Sequence, residues 1–206
     1  MPSPKNAERR TFRIDLAGFR ADDKAAADAD APPGLVLSGY AAKFNLPSED
    51  LGGFREFIKP GAFTASIDAD DIRALIDHNP TLILGRNTSG TLRLSEDATG
   101  LHFELDLPDT GPARDLRELI RRGDVSGCSF GFVTIEDIWT NENGEVRRDI
   151  ITAQLFDVSI VTYPAYPDTE VAIRSLTDHR TRTPATTPTT PLRDAAHRWI
   201  RAKLLR

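Results

Sequence analysis

A single cysteine, Cys128, stands in a chain of 206 residues, so no intrachain disulfide can form, which fits a reducing compartment. No apolar run approaches the roughly 20 residues a membrane-spanning helix needs. Residues 1–15 are polar and charged and lack the apolar h-region of a secretory signal, so the expected location is a cytoplasm. The four histidines and the one cysteine have no metal-ligand spacing, and neither a metal nor a cofactor is expected.

What is present suits one soluble globular domain with tails to spare: 39% hydrophobic and 28% charged residues are ordinary values for a folded chain of this length. The net charge of -5 is unevenly split. From Thr177 onward there are seven basic residues (Arg180, Arg182, Arg193, Arg198, Arg201, Lys203, Arg206) against Asp178 and Asp194, a balance of about +5 that leaves about -10 for residues 1–176. An acidic body argues against nucleic acid as the main partner. The basic tail reads first as a solvated segment.

Residues 1–33, with an Ala/Asp-rich stretch ending in Pro32-Pro33, read as a flexible leader, apart from a short strand candidate at 11–16. Residues 35–44 read as a strand, with Gly39 marking a bulge or a close backbone approach. A loop covers 45–53, a strand 54–58, and Pro60-Gly61 opens a short helix to about Ile67. Residues 70–77 read equally as strand or helix, and 82–84 is a short apolar run. Residues 91–94 and 101–107 alternate apolar and polar side chains across a turn at 95–100, which predicts a hairpin with one buried face.

Pro112 suits a first helical turn, Leu116, Leu119 and Ile120 form one apolar face, and Gly123 stands where a C-cap glycine belongs. Strands follow at 128–135 and 150–162, with a turn at 141–144. The body, 34–176, is therefore mainly β with a few helices, an α+β chain read as a closed or partly closed β-barrel. Residues 177–191 are a Thr/Pro-rich linker, and 192–206 a short amphipathic helix with Trp199 on its apolar face.

Three residues could support chemistry. His78 ends an apolar run beside Asn79-Pro80, where a side chain can project into a site and a neutral imidazole can take a proton from a hydroxyl. Ser129 lies among Gly127, Cys128 and Gly131, small residues that let a substrate backbone approach. Ser126 is a rival, and in a regular strand the two serines face opposite sides. Asp157 sits inside the apolar, β-branched run 150–162, where a carboxylate is costly unless paired. Asp149 and Asp137 are alternatives beside turns. Each residue has an ordinary structural reading as well: a packed histidine, a serine in a glycine-rich strand, an acid on a wet face. From these residues alone the reading stops at a soluble β-rich domain.

The blocks LSGYAAKFN (37–45), FIKPGAF (57–63), LIDHNPTLILGRNTSGTLRLSEDATGLHFELDLPDT (75–110), LIRRGDVSGCSFGF (119–132) and LFDVSIVTYPAYPDTEV (155–171) occur in an order that resembles the HK97-type prohead proteases of tailed phages and of related gene-transfer particles. The resemblance spans roughly residues 35–175. It implies a fold like that of the herpesvirus assembly proteases. The family pattern carries a histidine followed by Asn or Asp, a serine in S-[FIV]-G-[FY], and an acid in [ED]-V-S-x-V-x-x-P-A. These fall on His78, Ser129 and Asp157, so the resemblance implies these as the catalytic residues and passes over Ser126.

Members more often carry Glu where Asp157 stands, and the shorter side chain requires a closer strand. No arginine occurs between Tyr163 and Ile173 to match the oxyanion loop of the herpesvirus enzymes, which leaves backbone N–H groups near Ser129 as the expected donors. The implied function is a serine endopeptidase that cleaves scaffold, or a scaffold-like N-terminal region of the major capsid protein, inside the procapsid in the host cytoplasm. Self-cleavage and a homodimer are further implications; nucleic acid, membrane, metal and cofactor are not implied. Two rivals remain: an inactive structural or assembly β-barrel of a phage-like particle, and a ligand-binding β-barrel in which Ser129 merely packs.

Overall fold

A computed structural model describes residues 7–13, 20–24, 34–142 and 144–163. The chain divides into two compact units, Met1–Leu176 and Thr177–Arg206. All described residues belong to the first. The expected Thr/Pro linker and C-terminal helix lie outside the described residues.

Among the described residues the first unit is mainly β with two α-helices. In chain order its elements are β1 (Glu8–Arg13), β2 (Arg20–Lys24), β3 (Gly34–Lys43), β4 (Arg55–Ile58), α1 (Thr64–Ala69), β5 (Arg73–Ile76), β6 (Asn79–Arg86), β7 (Leu92–Glu96), β8 (Gly100–Asp106), α2 (Gly111–Arg122), β9 (Gly127–Glu142) and β10 (Glu145–Val161). Strand pairing gives a sheet of order β1-β9-β10-β5-β6, with β4 also on β10, and a second sheet of order β2-β3-β8-β7.

The β7–β8 hairpin follows the alternation of its sequence. Leu92 pairs with Leu105 and Leu94 with Phe103; Leu92, Leu101, Phe103 and Leu105 are buried. On the opposite face Arg93 donates to Glu104 at 3.0 Å and to Asp106 at 2.7 Å. A bulge follows Gly39 in β3: the β3–β8 register shifts between Tyr40 and Ala42, and a Cβ on Gly100 would stand 1.9 Å from the Ala42 carbonyl oxygen. Only glycine fits there.

In α2, Ala113 and Leu116 are buried, Ile120 packs on the core and Leu119 stays partly exposed. Gly123 ends the helix at φ 82°, and its N–H reaches the Ile120 carbonyl. The core gathers Phe63, Phe130 and Phe132, with Phe63 edge-on to Phe130 at 5.4 Å and Phe130 stacked on Phe132 at 5.2 Å. Each such ring contributes about 2–3 kcal/mol by leaving water.

The strand candidate at 11–16 is met at 11–13 by β1, and the expectation of a flexible leader over 1–33 is corrected for two further stretches, 8–10 and 20–24. Arg20–Lys24 pairs with β3, and Glu8–Arg13 pairs along β9 from Phe132 to Gly127. The physical reason lies at a distance. Glu8 and Arg10 are buried with Glu56 and Arg148 in a cluster of two carboxylates and two guanidinium groups. Arg10 donates to Glu56 at 2.8 Å and to Glu8 at 2.6 Å, and Arg148 donates to Glu8 at 2.8 Å and to Glu56 at 3.0 Å. Neither half is satisfied without the other, so the polar N-terminal segment is tied into the sheet.

Candidate active site

β5 and β6 are joined by only two residues, Asp77 and His78, across the pair Ile76–Asn79. Both have positive φ, 48° and 54°. This is the backbone of a two-residue hairpin turn whose twist matches the flanking strands. A left-handed conformation costs a non-glycine residue roughly 1 kcal/mol. The turn is held by the end of β10: the Asp77 N–H donates to the Ile160 carbonyl at 2.9 Å, and the Asp77 carboxylate accepts from the Thr162 N–H at 2.8 Å and from its hydroxyl at 3.0 Å. His78 is thereby aimed back over β10.

Ser129 lies on β9, opposite Thr11 of β1 and Ser159 of β10. Asp157 lies on β10 opposite Gly131, just after an irregularity in register between Leu155 and Asp157. His78 bridges the two: Nδ1 is 2.6 Å from Asp157 Oδ1 and Nε2 is 2.7 Å from Ser129 Oγ. A carboxylate only accepts, so Nδ1 carries the proton and Nε2 offers its lone pair to the Ser129 hydroxyl. The Ser129 hydroxyl also stands 3.0 Å from the Arg10 carbonyl, a second acceptor for its one proton. Ser129 is fully buried, and the His78 and Asp157 side chains are 8% and 10% exposed. Such burial shields the pair from water and strengthens each charge-assisted bond.

The tertiary structure brings the three expected residues together and leaves their rivals elsewhere. Ser126 precedes β9. Asp137 accepts from Arg148 and Trp139, and Asp149 accepts from Arg147. Cys128 is fully buried beside Ser129, and burial pushes its thiol well above the usual range, so it is a poor nucleophile.

Two expectations about the serine's surroundings change. β9 is paired on both edges over residues 127–132, by β1 and by β10, so its N–H groups there are taken up by the ladders rather than facing an oxyanion. Gly131 makes room for the acid rather than for substrate: a Cβ there would stand 2.5 Å from Asp157 Oδ2.

Sequence reasoning missed Asp77, Ser159 and the Arg10 carbonyl. Ser159 is buried and its hydroxyl donates to Asp157 Oδ1 at 2.6 Å. The signal for Ser159 was its place two residues after Asp157 on the same strand face.

A serine hydroxyl, an imidazole and a carboxylate in one hydrogen-bonded chain is the arrangement by which serine hydrolases activate a hydroxyl for attack on a carbonyl. The family model described as caudovirus prohead serine protease matches residues 23–183, and the chain belongs to that family. Among solved structures, the capsid assembly protease of bacteriophage T4 is similar to this chain at 11% identity and a TM-score of 0.48, over 75% of this chain and 96% of that one. No curated protein sequence matches this chain. Among the described residues no helix is long and apolar enough to cross a membrane.

Proposed function

We propose that this protein is a prohead serine endopeptidase in which Ser129 is the nucleophile, His78 the general base and acid, and Asp157 the residue that orients His78. The observation that carries this is the continuous chain Asp157–His78–Ser129, closed at 2.6 and 2.7 Å. Ser129 Oγ attacks the scissile carbonyl carbon as its proton passes to His78 Nε2. The tetrahedral intermediate then expels the amine, which takes that proton from His78. Water repeats the sequence on the acyl-enzyme and releases the acid. Asp157 holds the Nδ1–H tautomer and offsets the imidazolium charge in both steps.

The substrates are scaffold, or the scaffold-like N-terminal region of the major capsid protein, inside the procapsid in the host cytoplasm, with self-cleavage a further step. The catalytic unit extends to about residue 176, and the basic segment 177–206 after it serves to dock on scaffold or capsid. β3 lies against both β1 and β9. This supports reading the two sheets as a partly closed barrel.

An inactive assembly protein has no need to keep His78 within hydrogen-bond reach of Ser129, so their contact favours the enzyme over that rival. The test is co-expression with the capsid protein, wild type against Ser129→Ala, read by intact mass. A defined cleavage lost in the variant is the expected result. Unchanged cleavage would remove Ser129 from the mechanism. No cleavage by the wild type in an assembled shell would favour the structural rival. The tail's docking role is tested separately: a chain ending at Ser175 that is packaged and processed as well as the full chain would refute it.

A further inference from the structure

The geometry points to Ser159 as a positioning residue that holds Asp157 against His78, an inference that rests on the catalytic reading above. Ser159 stands two residues beyond Asp157 on β10, between its ladder partners Ser129 on β9 and Leu75 on β5. It therefore shares a strand face with Asp157 while Val158 and Ile160 turn into the core.

Its hydroxyl is 2.6 Å from Asp157 Oδ1, the same oxygen that His78 Nδ1 approaches at 2.6 Å. One carboxylate oxygen thus accepts from two donors, and its lone pairs point at both. The other oxygen, Oδ2, is packed against Gly131. With Oδ1 held by two donors, the carboxylate cannot rotate away from the imidazole without giving up a short, charge-assisted bond.

A fully buried serine in the run Val-Ser-Ile-Val would be costly without a partner, and Asp157 supplies it. Ser159 does not touch the reacting atoms; it acts through Asp157. Its removal is expected to affect the chemical step, in which the imidazolium must be steadied, more than substrate binding.

The test uses the full-length protein as wild type, Ser159→Ala and Ser159→Thr. Three readings are taken: steady-state cleavage of a peptide spanning the mapped capsid cleavage site, the low-field proton resonance of His78 Nδ1–H without substrate, and thermal melting. Ser159→Ala is expected to fold, to keep its KM, to lose about tenfold in kcat, the worth of one hydrogen bond to a charged group, and to move the low-field resonance. Ser159→Thr, which keeps the hydroxyl, is expected to restore both kcat and the resonance. Wild-type kcat with an unmoved resonance in Ser159→Ala would overturn the proposal. So would a loss of kcat with the resonance unmoved and no rescue by threonine, the pattern of a merely structural role.

If the alanine variant fails to fold, Ser159→Cys keeps the size with a weaker donor. An intermediate kcat and a moved resonance then support the proposal, and wild-type values for both overturn it. The resonance is read without substrate, so a Ser129→Ala protein that still cleaves would sink the catalytic reading while leaving the hold of Ser159 on Asp157 separately measurable.

Discussion

The Arg10 carbonyl oxygen stands 3.0 Å from the Ser129 hydroxyl, while the Arg10 guanidinium is buried between Glu8 and Glu56. A residue near the N-terminus thus fixes the surroundings of a serine far along the chain, and it does so because its side chain is anchored by charge. β1 is an edge strand, and the cluster of Glu8, Arg10, Glu56 and Arg148 secures it.

Glu56→Gln is expected to loosen β1. The substitution leaves buried Arg10 with Glu8 as its carboxylate partner, a Glu8 that Arg148 shares while also keeping Asp137, and it costs about 3–5 kcal/mol. Urea unfolding measures the loss, and hydrogen exchange locates it: the amides of β1 are expected to exchange faster while those of the β7–β8 hairpin do not.

Acid should attack the same cluster. Burial alone would push the Glu8 carboxyl up, but the guanidinium groups of Arg10 and Arg148 outweigh it and hold the group below the ordinary glutamate range. A folded-state value below the unfolded one means that the contribution of Glu8 is fully present above about pH 4.3 and is lost as the pH falls through the folded-state value. Melting temperature is expected to fall as the pH drops below that point. Glu8→Gln, less stable at neutral pH, is expected to show a shallower fall in the same window.

Asp77→Ala is expected to impair catalysis more than stability. The change removes the acceptor for the Thr162 N–H and hydroxyl and leaves the strained turn that carries His78 free to move. Both groups are exposed, so water replaces the lost bonds and the stability cost is about 1 kcal/mol. A drop in kcat with little change in urea midpoint would bear this out; equal activity would show that the turn holds its shape without the clamp.

Gly131→Ala tests the room that the strand leaves for the acid. The added methyl would stand 2.5 Å from Asp157 Oδ2, so the carboxylate must shift and weaken its bonds to His78 and Ser159. Stability is expected to fall by about 1–3 kcal/mol, the cost of weakening buried hydrogen bonds to a charged group. Displacing the carboxylate by about an ångström is expected to cost roughly 100-fold in kcat. A variant with wild-type kcat would mean that Asp157 does not need the position it holds.

Much of this was legible in the amino-acid order. The β7–β8 hairpin, α2 with its Gly123 cap and the 150–161 part of β10 were readable because local periodicity and turn chemistry specify them. The resemblance to prohead proteases picked out His78, Ser129 and Asp157, and the fold brings them into one chain. What the residues alone left open was which serine and which acid meet the histidine, because that depends on pairings between β9, β10 and the β5–β6 hairpin, distant in sequence. β1 was misread for the same reason: Glu8 and Arg10 look like a solvated leader until Glu56 and Arg148 come within 3 Å. The linear order therefore determined the local elements and the candidate residues. The tertiary structure alone decided which charges became buried partners and which hydroxyls lie within reach of one imidazole, since burial and hydrogen-bond distance arise only when separate strands pack.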